Sequence, residues 1–355
     1  MRAPAPIGLS RGPVPGGVLG RVSDAASPRR VLAWSLPAAT ALAAIFLAQQ
    51  FTLGRSPFGE PGEWTDVWVA LVHCFGAAYL PAAYLATLVS GRQTVLELRL
   101  QAGNAGPAEV ADLPSFGAAS WPWLAAGVAG SLLTLLGPWL TEPDIGGPLS
   151  FWMLAELSPE VFWHRLLGLW IGFWMGWFGL ALGQVSHRLS RLAREAPELD
   201  LFDAAPLRPF VRHGLSNGLT AAGLATFIGL LGFDMGVTMM LAVFGTLSVA
   251  LVVVAVALPL SGVQSRIRLA KDAELAWCSR MVREESARVR SRLPGDRGPT
   301  LSDLLAYRHL VESVATWPLD TPALRRVLLY LIIPLLTWIL SALVEALTVA
   351  SVLGS

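Results

Sequence analysis

The sequence predicts an all-α fold: a polytopic membrane helical bundle of about seven transmembrane helices with a cytoplasmic helical hairpin. Three observations carry this. The chain has 355 residues, 54% apolar and only 14% charged. A soluble domain averages about 25% charged residues, so these charges cannot cover a water-facing surface of this size. Seven stretches reach the ~20 apolar residues needed to cross a bilayer: 31–53, 67–90, 120–140, 161–186, 214–232, 236–260 and 326–350. The basic residues are also sorted. With the N-terminus inside, only Arg55 and Arg165 of the 26 Lys and Arg fall at or near the outer side, and the outer segments carry Glu60, Glu63, Asp66, Glu142, Asp144, Glu156, Glu160 and Asp234. That is the positive-inside asymmetry, and an odd span count then puts the C-terminus outside. A soluble enzyme or a nucleic-acid binder is excluded. The low lysine content, with Lys271 the single lysine, reflects genome bias and says nothing about arginine-specific recognition.

Residues 1–30 are rich in Pro, Gly, Arg and Ser with no apolar period, the mark of a disordered cytoplasmic tail. Arg29 and Arg30 anchor the first span rather than head a cleaved signal. Residues 31–260 form a six-helix transmembrane bundle. Its fourth span has start signals in Ser158, Pro159 and Glu160, and its polar continuation stops before Pro197. The fifth and sixth spans part at Gly232 to Gly236, where Asp234 sits between glycines. Residues 261–325 form the hairpin: an amphipathic helix from Val263 to Leu293, a turn at 294–299, and a second helix over 303–316 capped by Ser302. Trp317 and Pro318 end it. Thr321 is expected to cap the last span, within 326–355. Trp34, Trp64, Trp68, Trp121, Trp139, Trp163 and Trp338 lie near span ends, where an interfacial belt is expected.

The chain carries no phosphate-loop, dinucleotide, zinc-protease or nucleophile-elbow motif, so enzyme chemistry lacks a sequence basis. A retinal site would need a lysine in the bundle, and Lys271 is outside it. A haem would need facing histidines, and the five histidines fall at helix ends or outside the spans. Cys74 and Cys278 are expected on opposite sides of the membrane, which excludes a disulfide framework or a Cys-based zinc site. No cofactor or metal is expected.

Two groups of residues remain as candidates. His73, His164, Arg165 and Glu345 gather towards the outer face on spans 2, 4 and 7. Charges at depth are costly unless paired, so Arg165 is expected to meet Glu345, and span 4 to pack on span 7. Gly168, Gly172, Gly176, Gly179 and Gly183 share one face of span 4, the small-xxx-small pattern that lets helix backbones touch. That face serves packing within the chain or self-association into a homo-oligomer.

Val311 to Asp320 (Val-Glu-Ser-Val-Ala-Thr-Trp-Pro-Leu-Asp), with Leu329 to Leu336 and with Arg266, Ile267, Lys271, Glu274 and Leu275 in the stretch from Pro259 to Leu275, resembles the tail of uncharacterised bacterial multi-pass membrane proteins over a third of the chain. The resemblance implies a bacterial inner-membrane protein and no mechanism. The expected role is therefore that of a scaffold, sensor or accessory subunit, in contact with the lipid bilayer and engaging a cytoplasmic partner through 261–325. The alternative is a transporter or channel for a small or apolar solute.

Overall fold

The computed structural model describes residues 28–52, 64–101, 121–141, 159–195, 200–203, 205–231, 246–291 and 301–353. Among them are eight α-helices and no strand: α1 (Pro28–Thr52), α2 (Trp64–Gln101), α3 (Trp121–Thr141), α4 (Pro159–Glu195), α5 (Arg208–Leu231), α6 (Thr246–Ser291), α7 (Leu301–Ser313) and α8 (Thr321–Leu353). The described part of each expected apolar stretch falls on its own helix. Among the described residues five segments are long and apolar enough to cross a membrane: Val31–Thr52, Val69–Leu98, Arg165–Arg194, Thr246–Arg288 and Thr321–Leu340. The chain is thus a helical protein of membrane composition.

The packing is a ring of four helices with three leaning on it. α2 packs on α4, α4 on α6, α6 on α5, and α5 back on α2. Outside this ring α1 lies on α2, α3 on α4, and α8 on α5. Of the five candidate spans, α2 buries the largest share of its apolar window and α8 the smallest. The expected packing of the fourth span against the last is not among the extensive helix contacts: α4 meets α2, α3 and α6, and α8 meets α5 and, more lightly, α6.

Side-chain register fixes the helix directions. Gly91 faces Val185, and Trp170 reaches Ala77, so α2 and α4 run parallel. The Tyr79 hydroxyl donates to the Thr220 carbonyl at 2.8 Å, Ser90 meets His213, and Gly76 faces Phe227, so α5 runs against α2. α3 runs against α4, with Gly130 at Gly172 and Ala126 at Gly176. These registers bring Arg92, Arg188, Arg191, Arg194, Arg212 and Arg266 to one end of the bundle.

Several boundaries differ from expectation. α6 runs unbroken through position 261 and through Pro259, so the apolar span and the charged helix after it are one 46-residue rod. At ~1.5 Å per residue it is about 69 Å long. α7 begins at Leu301 and ends at Ser313, which leaves Ser302 inside the helix and 314–316 outside it. α8 is capped one residue early: Asp320 Oδ1 accepts the Ala323 N–H at 2.8 Å, and the Asp320 carbonyl accepts from Leu324 at 2.9 Å. A carboxylate both accepts the orphan N–H and opposes the positive helix end, which the Thr321 hydroxyl could not match. Two Asp-led turns precede α5, with Asp200 Oδ1 accepting from Phe202 N and Asp203 Oδ1 from Ala205 N, each at 2.9 Å. The expected Ser158 cap, the Gly232–Gly236 turn and the 294–299 turn lie outside the described residues.

Candidate functional site

Of the outer polar group, His73 donates Nδ1–H to the carbonyl of Val69, 2.7 Å away and one turn back in its own helix. Arg165 is half-buried on α4. The side chains of His164 and Glu345 lie outside the described residues, and so does the expected Arg165–Glu345 pair. Among the described residues no three His, Cys, Asp or Glu stand close enough together to hold a metal.

The glycine ladder divides in two. A Cβ on Gly172 would strike the Gly130 backbone, and one on Gly176 the Ala126 backbone. At these two positions α3 and α4 cross backbone to backbone, which only glycine permits. Gly168, Gly179 and Gly183 would meet nothing within 4 Å. The middle of the ladder is therefore taken up inside the chain and is closed to a second copy.

At the basic end the ring interior holds a polar network that sequence reasoning missed. His213, placed there with the histidines at helix ends or outside the spans, is fully buried. Its Nδ1 lies 2.8 Å from Ser90 Oγ on α2, and Asn217 Nδ2, one turn along α5, lies 3.0 Å from Nε2. The Asn217 amide donates to Nε2, so Nδ1–H donates to Ser90 and the imidazole is neutral. Thr94 donates to the Ser90 carbonyl at 3.0 Å, and Arg212 pairs with Glu97 at the rim. Between α4 and α6, Ser190 Oγ and Ser261 Oγ are 3.0 Å apart. Ser90, His213 and Asn217 are each unremarkable beside a span end in sequence. The one signal was the i,i+4 spacing of His213 and Asn217, which puts both on one face of α5.

A second feature opens at mid-span. Pro81 lacks an N–H and so frees the carbonyl of Ala77, four residues back. The Trp170 indole N–H on α4 takes that carbonyl at 3.0 Å. Around Pro81 lies a cavity of 1020 Å³ between α1, α2 and α4. Small residues line it: Ala77, Ala78, Pro81 and Ala82 of α2, with the exposed Ala38 and Ala41 of α1. Trp34, Trp170 and Phe173 stand beside them, and among the described residues no charged one lines it. Trp170 continues into an aromatic cluster through Trp174, with Trp177, Trp123 and Tyr84 at centroid separations of 5.4–5.7 Å.

Beyond the bundle, α7 folds against the charged half of α6. Lys271 Nζ donates to the carbonyls of Glu312 at 2.6 Å and Val314 at 2.9 Å, so the one lysine caps the end of α7 where the helix dipole favours a cation. Leu304, Val311 and Cys278 are buried in this contact, and the rings of Trp277 and Tyr307 meet edge to face at 6.0 Å. Burial first, then the Glu274 carboxylate, push the Tyr307 phenol above its usual range, so it stays protonated and donates to Glu274 at 3.3 Å. Leu269, Leu305, Leu310 and Trp317 remain exposed. No protein-family model, no curated protein and no solved structure matches this chain.

Proposed function

We propose that the chain is a seven-span protein of the bacterial inner membrane, N-terminus cytoplasmic and C-terminus outside, that acts as a scaffold, sensor or accessory subunit. Its cytoplasmic partner docks on α7 and the adjoining half of α6. The observation that supports this reading most is the unbroken α6: one continuous helix joins the four-helix ring to a charged region on which α7 is clamped by Lys271. Displacement of that region by a partner would be carried into the ring along α6. Exposed apolar side chains in a charged, water-facing region mark an interaction surface, and Leu305, Leu310 and Trp317 fit that description. The basic ends of α2, α4, α5 and α6 support the orientation.

The test is photo-crosslinking in living cells with a light-activated residue in place of Leu305, Leu310 or Trp317. Leu133, exposed on the apolar α3, serves as the lipid-facing control. A discrete protein adduct at the first three positions and none at Leu133 is expected. Adducts with lipid alone, or none at any of the three, would reject the partner surface.

A further inference from the structure

We propose that the cavity at Pro81 is a lateral binding site for the acyl chain of a membrane phospholipid, a role independent of the partner surface above. Its walls come from α1, α2 and α4, each long and apolar enough to cross a membrane. The medium that meets its open side is therefore hydrocarbon, and an occupant enters sideways from the bilayer. The chemistry of the lining selects for the chain over a headgroup. All the described lining residues are apolar or tryptophan, and the Trp170 N–H is already given to the Ala77 carbonyl. A phosphate or sugar placed here would lose its water for, among the described lining side chains, the Trp34 indole N–H alone.

The 1020 Å³ of space is of the size that small-molecule pockets reach, roughly 300–1,000 Å³. The site is also built rather than incidental. The hydrogen bond to Ala77 holds the Trp170 wall in place. The lining alanines leave space that larger residues would fill. Among the occupants a bilayer offers, phospholipid chains are at bulk concentration, and mass action favours them.

Native mass spectrometry of the full chain, purified from vesicles of phosphatidylcholine and phosphatidylglycerol and washed in delipidating detergent, tests this. The wild type is expected to keep a phospholipid whose mass follows the vesicle composition. Ala41→Phe and Ala78→Phe fill the groove and should lower retention about tenfold, equivalent to ~1.4 kcal/mol. Leu133→Phe, away from the groove, should not. Equal retention in all four proteins, or none in the wild type, overturns the proposal. So does a dimer mass lost in the filled variants, which would give the groove to a second copy. A measurement on the unaltered chain guards against misfolded variants: phosphatidylcholine with a mid-chain diazirine should label peptides containing Ala38–Leu42 and Ala77–Leu85 above all others. Uniform labelling around the bundle would also overturn it.

Discussion

Trp170 and Ala77 are joined across two helices: the indole N–H donates, at 3.0 Å, to the one carbonyl in that turn of α2 that Pro81 leaves without a helical donor. In a medium without water such a carbonyl has few other partners. The proline in α2 and the tryptophan on α4 thus complement each other.

Trp170→Phe should therefore destabilise the bundle by about 1–3 kcal/mol, the cost of stranding a buried acceptor. In a Pro81→Ala background the helix can satisfy Ala77 itself, and the same substitution should cost less. Thermal unfolding of the four proteins in detergent gives the coupling. Equal costs in both backgrounds would mean the hydrogen bond contributes nothing.

The glycine ladder makes a positional prediction. Gly172→Ile and Gly176→Ile force α3 away from α4 and should each cost several kcal/mol, about 3 or more. Gly179→Ile and Gly183→Ile enter open space and should leave the melting temperature within a few degrees of wild type. If all four melt alike, α3 does not cross α4 at Gly172 and Gly176.

The buried network predicts a graded series at His213. Ser90→Ala removes one partner and should cost about 1–2 kcal/mol. His213→Ala leaves a cavity and strands both Ser90 and Asn217, so about 3–4 kcal/mol is expected. His213→Gln, which can still bond, should recover part of that. Chemical denaturation reads the order, and a harmless His213→Ala would refute it.

Lys271→Met removes the cation that caps α7 and should loosen that helix alone. Hydrogen exchange over 301–313 is expected to rise about tenfold, for a loss on the order of 1–1.5 kcal/mol, with α2 and α4 unchanged. Rise in exchange across the whole bundle would mean α7 is not a separable layer.

Sidedness is best read with introduced cysteines, because Cys74 and Cys278 are both buried and react poorly wherever they lie. With Asp272→Cys, exposed on α6, a membrane-impermeant thiol reagent should label inverted vesicles and spare intact cells. Labelling in intact cells would reverse the orientation.

The helix class, the positions of the apolar stretches, the long fourth helix and the sorting of basic residues were all legible in the sequence. They follow from local quantities: the ~20 apolar residues a bilayer requires and the cost of moving arginine across it. Pro159 opening α4 belongs to the same class. Only the tertiary structure decided which faces meet. Five glycines share one stripe of α4, yet two contact α3 and three do not, because contact depends on where a partner helix crosses. Asp320 caps α8 in place of Thr321 because the backbone turns there. Nothing local to Ala77 and Pro81 names Trp170 as their partner, 93 positions on from Ala77, nor Ser90 as the partner of His213. A lipid-facing and a ring-facing side of an apolar helix carry the same residues, since hydrocarbon and protein interior are equally apolar. Periodicity that reveals the inside of a soluble protein is therefore silent in this one, and burial waits on the packing.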